Sequence, residues 1–225
     1  YKIKKTVIHS DVRFTYQTAQ DVIDNKKGQL ATELLLLDKL SKVLRKKRQQ
    51  NGSINFESTE VKFILDKDNN PIDVYFKESL STNHLIEEFM LLANKTVAKH
   101  IGFPKKEAKT FVYRIHDIPD VDRITTLNNI VKKFGHSIDN TSTPKLSSSL
   151  NNLLKNVKGK NEQQMVETLT IRSMAKAVYT TDNIGHYGLA FDYYSHFTSP
   201  IRRYPDLIVH RLLEQYINGD NSVDK

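Results

Sequence analysis

A chain of 225 residues is long enough for one domain or two modest ones, with ample length for a core. It carries no cysteine, which excludes disulfides, thiol nucleophiles and cysteine-ligated zinc, and its formal net charge of +8 suits a polyanionic partner such as nucleic acid or an acidic membrane surface. The longest aliphatic run, Leu34 to Leu37, is far too short to span a bilayer and no signal peptide is visible, so a cytoplasmic location without membrane contact is expected.

Residues 3 to 14 alternate enough, through Ile3, Val7, Val12 and Phe14, to be extended, before a short helix from Thr15 to about Asp24. Leu36, Leu37, Leu40, Val43 and Leu44 form a helical apolar stripe ending in Arg45-Lys46-Lys47-Arg48, and Gly52 breaks that helix. The basic run is either a phosphate contact or a solvated helix end favoured by its own dipole. Ile54-Asn55-Phe56, Val61 to Leu65 and Ile72 to Phe76 are expected as strands, the last two joined by a turn through Asp66-Lys67-Asp68-Asn69-Asn70-Pro71. A long helix from Thr82 to His100 is apolar on almost every face between Leu85 and Ala93 except at Glu87 and Glu88.

A strand from Thr110 to Ile115 leads to a helix over Val121 to Phe134, with Asp117, Asp120 and Asp122 as acids of its start. The polar stretch 135–145 is a loop, and Leu146, Leu150, Leu153, Leu154 and Val157 make an amphipathic helix that Gly159 ends. Glu162 to Thr180 is expected to be helical and Ile184 to Phe191 a glycine-rich strand. A final helix is expected to start at Ser199-Pro200. The sum is a helix-rich α+β fold whose strands are too scattered for a self-sufficient sheet, as expected of half of a larger α/β domain.

The segment with most chemistry is His196-Phe197-Thr198-Ser199-Pro200-Ile201-Arg202-Arg203-Tyr204-Pro205-Asp206, preceded by Gly185-His186-Tyr187-Gly188-Leu189-Ala190-Phe191. A Ser-Pro helix start leaves backbone N–H groups pointing outward, which favours an anion, and guanidinium groups clamp the same anion bidentately. The alternative is that Arg202 only pairs with Asp206 four residues on. Arg203 has the same two readings, an adjacent phosphate or a surface salt bridge. His186, His196 and His210 match no histidine metal spacing, and a cap role explains Ser199 without a nucleophile. No P-loop, GxGxxG or HExxH pattern occurs.

That segment closely resembles the signature of the ribonuclease II / ribonuclease R family of 3′→5′ exoribonucleases. Further matches follow in the family's order: Arg13 to Gln20, Leu85 to Asn94, Tyr113-Arg114-Ile115-His116-Asp117 and Ile171 to Tyr179. Arg-Arg-Tyr-Pro and Glu-Glu-Phe-Met-Leu are more similar to the ribonuclease R branch, and the likeness runs from about Ile3 to Leu213. It implies that residues 1–225 are the C-terminal portion of an RNB catalytic domain. The Asp-rich metal-holding part, which the family places upstream, and the flanking cold-shock-like and OB-fold modules are not found here.

The resemblance further implies hydrolysis of RNA to nucleoside 5′-monophosphates with Mg2+, the partner being the 3′ end of single-stranded RNA and the enzyme a monomer. Arg202 would be the catalytic residue, contacting the scissile phosphate. Arg203 and His196 would lie along the RNA, Tyr16 beside the terminal nucleotides, and Phe56 under the 3′ bases, although Asn55 stands where the family has Asp. Glu88, or Glu87 beside it, would accept a hydrogen bond from the ribose 2′-OH; the alternative is an internal ion pair with a neighbouring helix. A rival to the enzyme is a catalytically inactive RNA-binding or structural module. A DNA-binding protein is poorly supported, since no helix-turn-helix or zinc motif appears.

Overall fold

A computed structural model describes residues 1–56, 60–77, 79–103 and 108–224. The chain divides into two compact units, residues 1–43 with 59–87, and residues 44–58 with 88–225. Seven α-helices and four short strands are found among the described residues, the strands forming two separate two-stranded sheets. This is the helix-rich α+β class expected from the sequence.

In the first unit, residues 1 to 14 form no strand; they are mostly exposed and pair with no ladder. Helix α1 (Tyr16–Asn25) starts at a capping box, Thr15 and Thr18 each bonding the other's backbone N–H. Helix α2 (Ala31–Gln50) begins here, and its face is inverted from the expected one. Leu36, Leu37, Leu40 and Val43 lie exposed, whereas Asp38 and Ser41 are buried. The polar side is tolerable because it is satisfied: Asp38 pairs with Lys42 and accepts from Ser81 Oγ, and Ser41 Oγ donates to the Asp38 carbonyl. Strands β1 (Glu60–Leu65) and β2 (Pro71–Lys77) pair antiparallel about the expected turn, where Asp66 Oδ1 accepts from the Asp68 and Asn70 N–H groups. Helix α3 (Ser81–Gly102) starts in this unit and continues into the second.

The second unit holds the main core. Helices α4 (Val121–Lys132), α5 (Thr143–Val157) and α6 (Gln163–Ser173) pack on one another through Ile124, Leu127, Val131, Leu150, Leu153, Val157 and Val166, all nearly or fully buried. Asp120 caps α4 by accepting from the Asp122 and Arg123 N–H groups. Residues 54–56 are not a strand. Their backbone is taken instead by Asn151, whose Oδ1 accepts from Asn55 N–H while its Nδ2 donates to the Ser53 carbonyl, and Ile54 N–H donates to Gly188. Helix α6 ends at Ser173, seven residues short of the expected Thr180, because β-branched Val178 and Thr180 with Tyr179 form strand β4 (Val178–Thr180). It pairs antiparallel with β3 (Tyr113–Ile115), Arg114 standing opposite Tyr179.

Leu150 has no exposure and sits in the middle of this core. Leu150→Ala is expected to lower unfolding free energy by about 2–5 kcal/mol. Ile201→Ala, at a fully exposed side chain, should stay within about 0.5 kcal/mol. Urea unfolding followed by circular dichroism measures both.

Candidate functional site

The last helix, α7 (Tyr204–Ile217), begins five residues later than Ser199. Two prolines decide this. A helix started at Pro200 would carry Pro205 in its interior, without a donor and with its ring against the carbonyl four residues back, a loss of about 3 kcal/mol. Starting at Tyr204 places Pro205 in the first turn, where the missing N–H is no loss. Ser199 to Arg202 become a separate turn, closed by the Arg202 and Arg203 N–H groups on the Ser199 carbonyl. Ser199 is therefore not the cap of a helix.

Asp206, fully buried in the first turn of α7, holds this turn in place. Its Oδ1 accepts from the Ser199 N–H at 2.8 Å and from Arg203 Nη2 at 2.8 Å. The carboxylate thus belongs to Arg203 and not to Arg202. Arg203 is the structural partner, while Arg202 is exposed and makes only a 3.3 Å contact from Nη2 to Ser199 Oγ.

The residues before the turn are fixed from other elements. Asn94 of α3, 2% exposed, accepts the Phe197 and Thr198 N–H groups on Oδ1 and donates from Nδ2 to the Tyr194 hydroxyl. His210 of α7 meets the Phe197 carbonyl at 2.9 Å and stacks on its ring, centroids 4.2 Å apart. Ser195 Oγ donates to the Val112 carbonyl and Arg114 N–H to that of Tyr194, which lays the segment along β3.

Residues 184–191 are not a strand but a 3-10 turn over Tyr187–Leu189, entered through Gly185 at φ +86° and left through Ala190 at φ 54°. The shape is set by His116. Its Nδ1 accepts the Gly188 N–H at 2.9 Å, so its Nε2 carries the proton and donates to the Ala175 carbonyl at 2.9 Å. A Cβ on Gly188 would come within 3.1 Å of that imidazole nitrogen. His116 and His186 face each other with centroids 5.0 Å apart. Burial lowers the pKa of both, that of His186 to about 3 with help from the neighbouring His116. Burial and then the Arg203 charge lower His196 to about 4.

The remaining expected residues do not all gather here. Tyr16 is half exposed at the start of α1, in the first unit. Phe56 packs partly buried on the main core. It lines a largely apolar cavity of about 690 Å³ with His116, Arg123, Arg172 and His186. Glu87 is partly exposed with His84 Nδ1 at 3.3 Å. Glu88, 3% exposed, receives Arg48 Nη2 and Nε on its carboxylate. That is the internal ion pair offered as the alternative to ribose recognition, and it shows Arg48 to be buried rather than part of a solvated helix end. Among the described residues no group of three or more His, Cys, Asp or Glu side chains converges as metal ligands, so the donors present do not fit the implied Mg2+.

Sequence reasoning gave no role to Asn94, Arg114 or Tyr179, although each lies in a segment that resembles the family, and weighed Asp206 only as a partner of Arg202. What the sequence did not show is that the fold brings these distant segments together beside the turn.

The RNB domain family matches residues 1–219. Ribonuclease R of Aquifex aeolicus is 37% identical over 231 residues, covering 98% of this chain and 32% of its own. Ribonuclease R of Escherichia coli is 34% identical over 220 residues, covering 95% of this chain and 27% of its own. The solved structure of Mycoplasma genitalium RNase R in complex with ribose methylated single-stranded RNA aligns with a TM-score of 0.80 at 28% identity, over 91% of this chain and 32% of that one. Yeast Ssd1, a pseudonuclease, shares the fold at a TM-score of 0.66 and 18% identity. The chain spans about a third of the length of the curated relatives it matches. No helix among the described residues is long and apolar enough to cross a membrane.

Two outcomes follow from this geometry. His116, His186 and His196 stay neutral when folded but take protons near pH 6.5 when unfolded. The unfolded state therefore binds more protons as pH falls below about 6.5, and stability falls with it, down to about pH 4 for His196 and about pH 3 for His186. Thermal melts from about pH 8 to about pH 4.5 should be flat above about pH 7 and then decline. In His186→Asn, whose Oδ1 can replace Nδ1 as acceptor for the Leu189 N–H, the decline should be shallower. Glu88→Ala removes the buried carboxylate that Arg48 pairs with and should cost about 3–5 kcal/mol in urea unfolding.

Proposed function

Since the chain belongs to the RNB domain family, we propose that residues 1–225 are the C-terminal portion of an RNB catalytic domain and serve a ribonuclease R-type 3′→5′ exoribonuclease. The observation that carries the reading is the exposed Arg202 guanidinium on a turn held rigid from behind. Asp206 holds the Ser199 N–H and Arg203, and Asn94 holds the Phe197 and Thr198 N–H groups. Arg203 is committed to Asp206, so Arg202 is the cation presented to a phosphate. The partner is the 3′ end of single-stranded RNA, and the products are nucleoside 5′-monophosphates released in the cytoplasm by a monomeric enzyme.

Water attacks the phosphorus of the terminal phosphodiester, the P–O3′ bond to the shortened chain breaks with that O3′ ending as a hydroxyl, the terminal nucleoside leaves carrying its 5′-phosphate, and negative charge builds on the non-bridging oxygens on the way. Arg202, carried on a turn held before the reaction starts, meets that charge, and a donor aimed in this way is worth about 3–4 kcal/mol. Phe56 lends a ring for base stacking, which adds about 1–3 kcal/mol per base without sequence preference. In the intact enzyme Mg2+ would be held by ligands that the described residues of this chain do not bring together. Glu88 is assigned to the buried pair with Arg48, so its replacement should leave the ratio of rates on matched RNA and DNA oligonucleotides unchanged.

In the intact protein that contains this chain, Arg202→Ala should lower the single-turnover rate about 10²–10³-fold with little change in RNA affinity. An unchanged rate would remove Arg202 from the chemistry. The purified chain by itself, given labelled single-stranded RNA and Mg2+, should release no mononucleotides. Processive release by a nuclease-free preparation would contradict the proposal, and an intact protein that binds RNA without cutting it would establish the inactive binding module instead.

A further inference from the structure

Beside the Arg202 turn His196 is joined in a row by two side chains, Arg114 and Tyr179, that carry no assigned role. Arg114 and Tyr179 are direct partners across the β3–β4 pair. The Arg114 guanidinium lies over the Tyr179 ring, 4.6 Å from its centroid. The Tyr179 hydroxyl meets His196 Nδ1 at 2.6 Å, with the two rings edge to face. Tyr179 is 38% exposed, so the row is reachable from solvent.

Its hydrogen bonding is incomplete. Stacking occupies one face of a guanidinium and leaves the N–H groups at its edge free to donate. No carboxylate pairs with Arg114 among the described residues. If the phenol donates to Nδ1, the neutral imidazole of His196 carries its proton on Nε2, a donor with no partner of its own among the described residues. The charges that reach this imidazole are those of Arg203, Arg114 and Arg202, against the single carboxylate of Asp206. Asp206 is already engaged by Arg203 and the Ser199 N–H. The row therefore lies in an excess of positive charge, with the face of Tyr194 behind it.

We propose that Arg114, Tyr179 and His196 Nε2 form a second anion subsite, which takes a phosphodiester of single-stranded RNA next to the phosphate held by Arg202. Arg114 supplies the charge, Tyr179 holds both the guanidinium and the imidazole in position, and His196 adds a neutral donor. This rests on the reading of Arg202 as the phosphate-holding residue. A free phosphate monoester presents the same oxygens, and the two sources are separated below by using both probes.

The chain is titrated with a fluorescein-labelled single-stranded RNA at several salt concentrations. Arg114→Gln should bind about five-fold more weakly, with a log–log salt slope shallower by about 0.7, the loss of one phosphate contact on a single strand. Arg114→Lys, which keeps the charge but not the stacked fork, should keep the slope and lose part of the affinity; it decides the matter should the Gln variant melt early. In parallel, inorganic phosphate is added while the histidine ring signals are followed by NMR. The His196 signals should shift saturably in the wild type and not in Arg114→Gln.

Wild-type affinity and slope in Arg114→Gln would refute the subsite, whatever Arg202→Ala does to turnover. Weakened binding in Arg114→Gln together with an unchanged rate in Arg202→Ala would keep the subsite and overturn the reading of Arg202. A phosphate response of His196 without any RNA effect of Arg114→Gln would assign the subsite to a free phosphate and contradict the proposal as stated. His196 signals that do not move when phosphate is added to the wild type would also overturn it.

Discussion

One buried carboxylate organises the site. Asp206 has no exposure, and an ionised group in that position is tolerable only when its charge is met by donors. It meets them by drawing in the Ser199 N–H and the Arg203 guanidinium from the turn before its own helix. It also lies in the first turn of α7, where the helix dipole favours negative charge. The division of labour between two adjacent arginines follows from this. The one that the carboxylate claims becomes part of the scaffold, and its neighbour is left facing outward.

The same economy appears wherever a segment without regular structure has to be held. Asn94 grips residues 197 and 198, Asn151 grips residues 53 and 55, and Asn128 grips both the N–H and the carbonyl of Ile138. A side-chain amide carries one acceptor and one donor group, so it can pair with an extended backbone as a neighbouring strand would. That is how the backbone of these segments is paired where no neighbouring strand reaches it, the strands among the described residues forming two short sheets. Each of these asparagines sits on a helix, which makes the loops as rigid as the helices behind them.

Electrostatically the second unit sets neutral rings beside cations. His116, His186 and His196 are kept uncharged by burial and by each other's proximity to positive groups, while Arg114, Arg202 and Arg203 supply the charge. A surface built in this way attracts polyanions through fixed guanidiniums and offers neutral donors for fine positioning, in keeping with the excess of positive charge over the whole chain.

How much of this could be read without coordinates depends on how local the cause was. The helices with an amphipathic stripe, α1, α4 and α5, the first two with a side-chain cap, and the β1–β2 hairpin with its Asp-Asn turn are legible because their causes lie between neighbours in sequence. So is the arginine pair of residues 202 and 203 as the place to look. The buried face of α2, the end of α6 and the conformation of residues 184–191 are not legible. Asp38 depends on Ser81, β4 on β3, and Gly188 on His116, each a partner far away in the chain. The sequence alone determined the helix-rich class and the family. Only the tertiary structure decided that Asp206 belongs to Arg203, that Glu88 belongs to Arg48, and that Arg114 stands over Tyr179, because a charge or a ring acquires its partner only when the fold brings remote segments within hydrogen-bond reach.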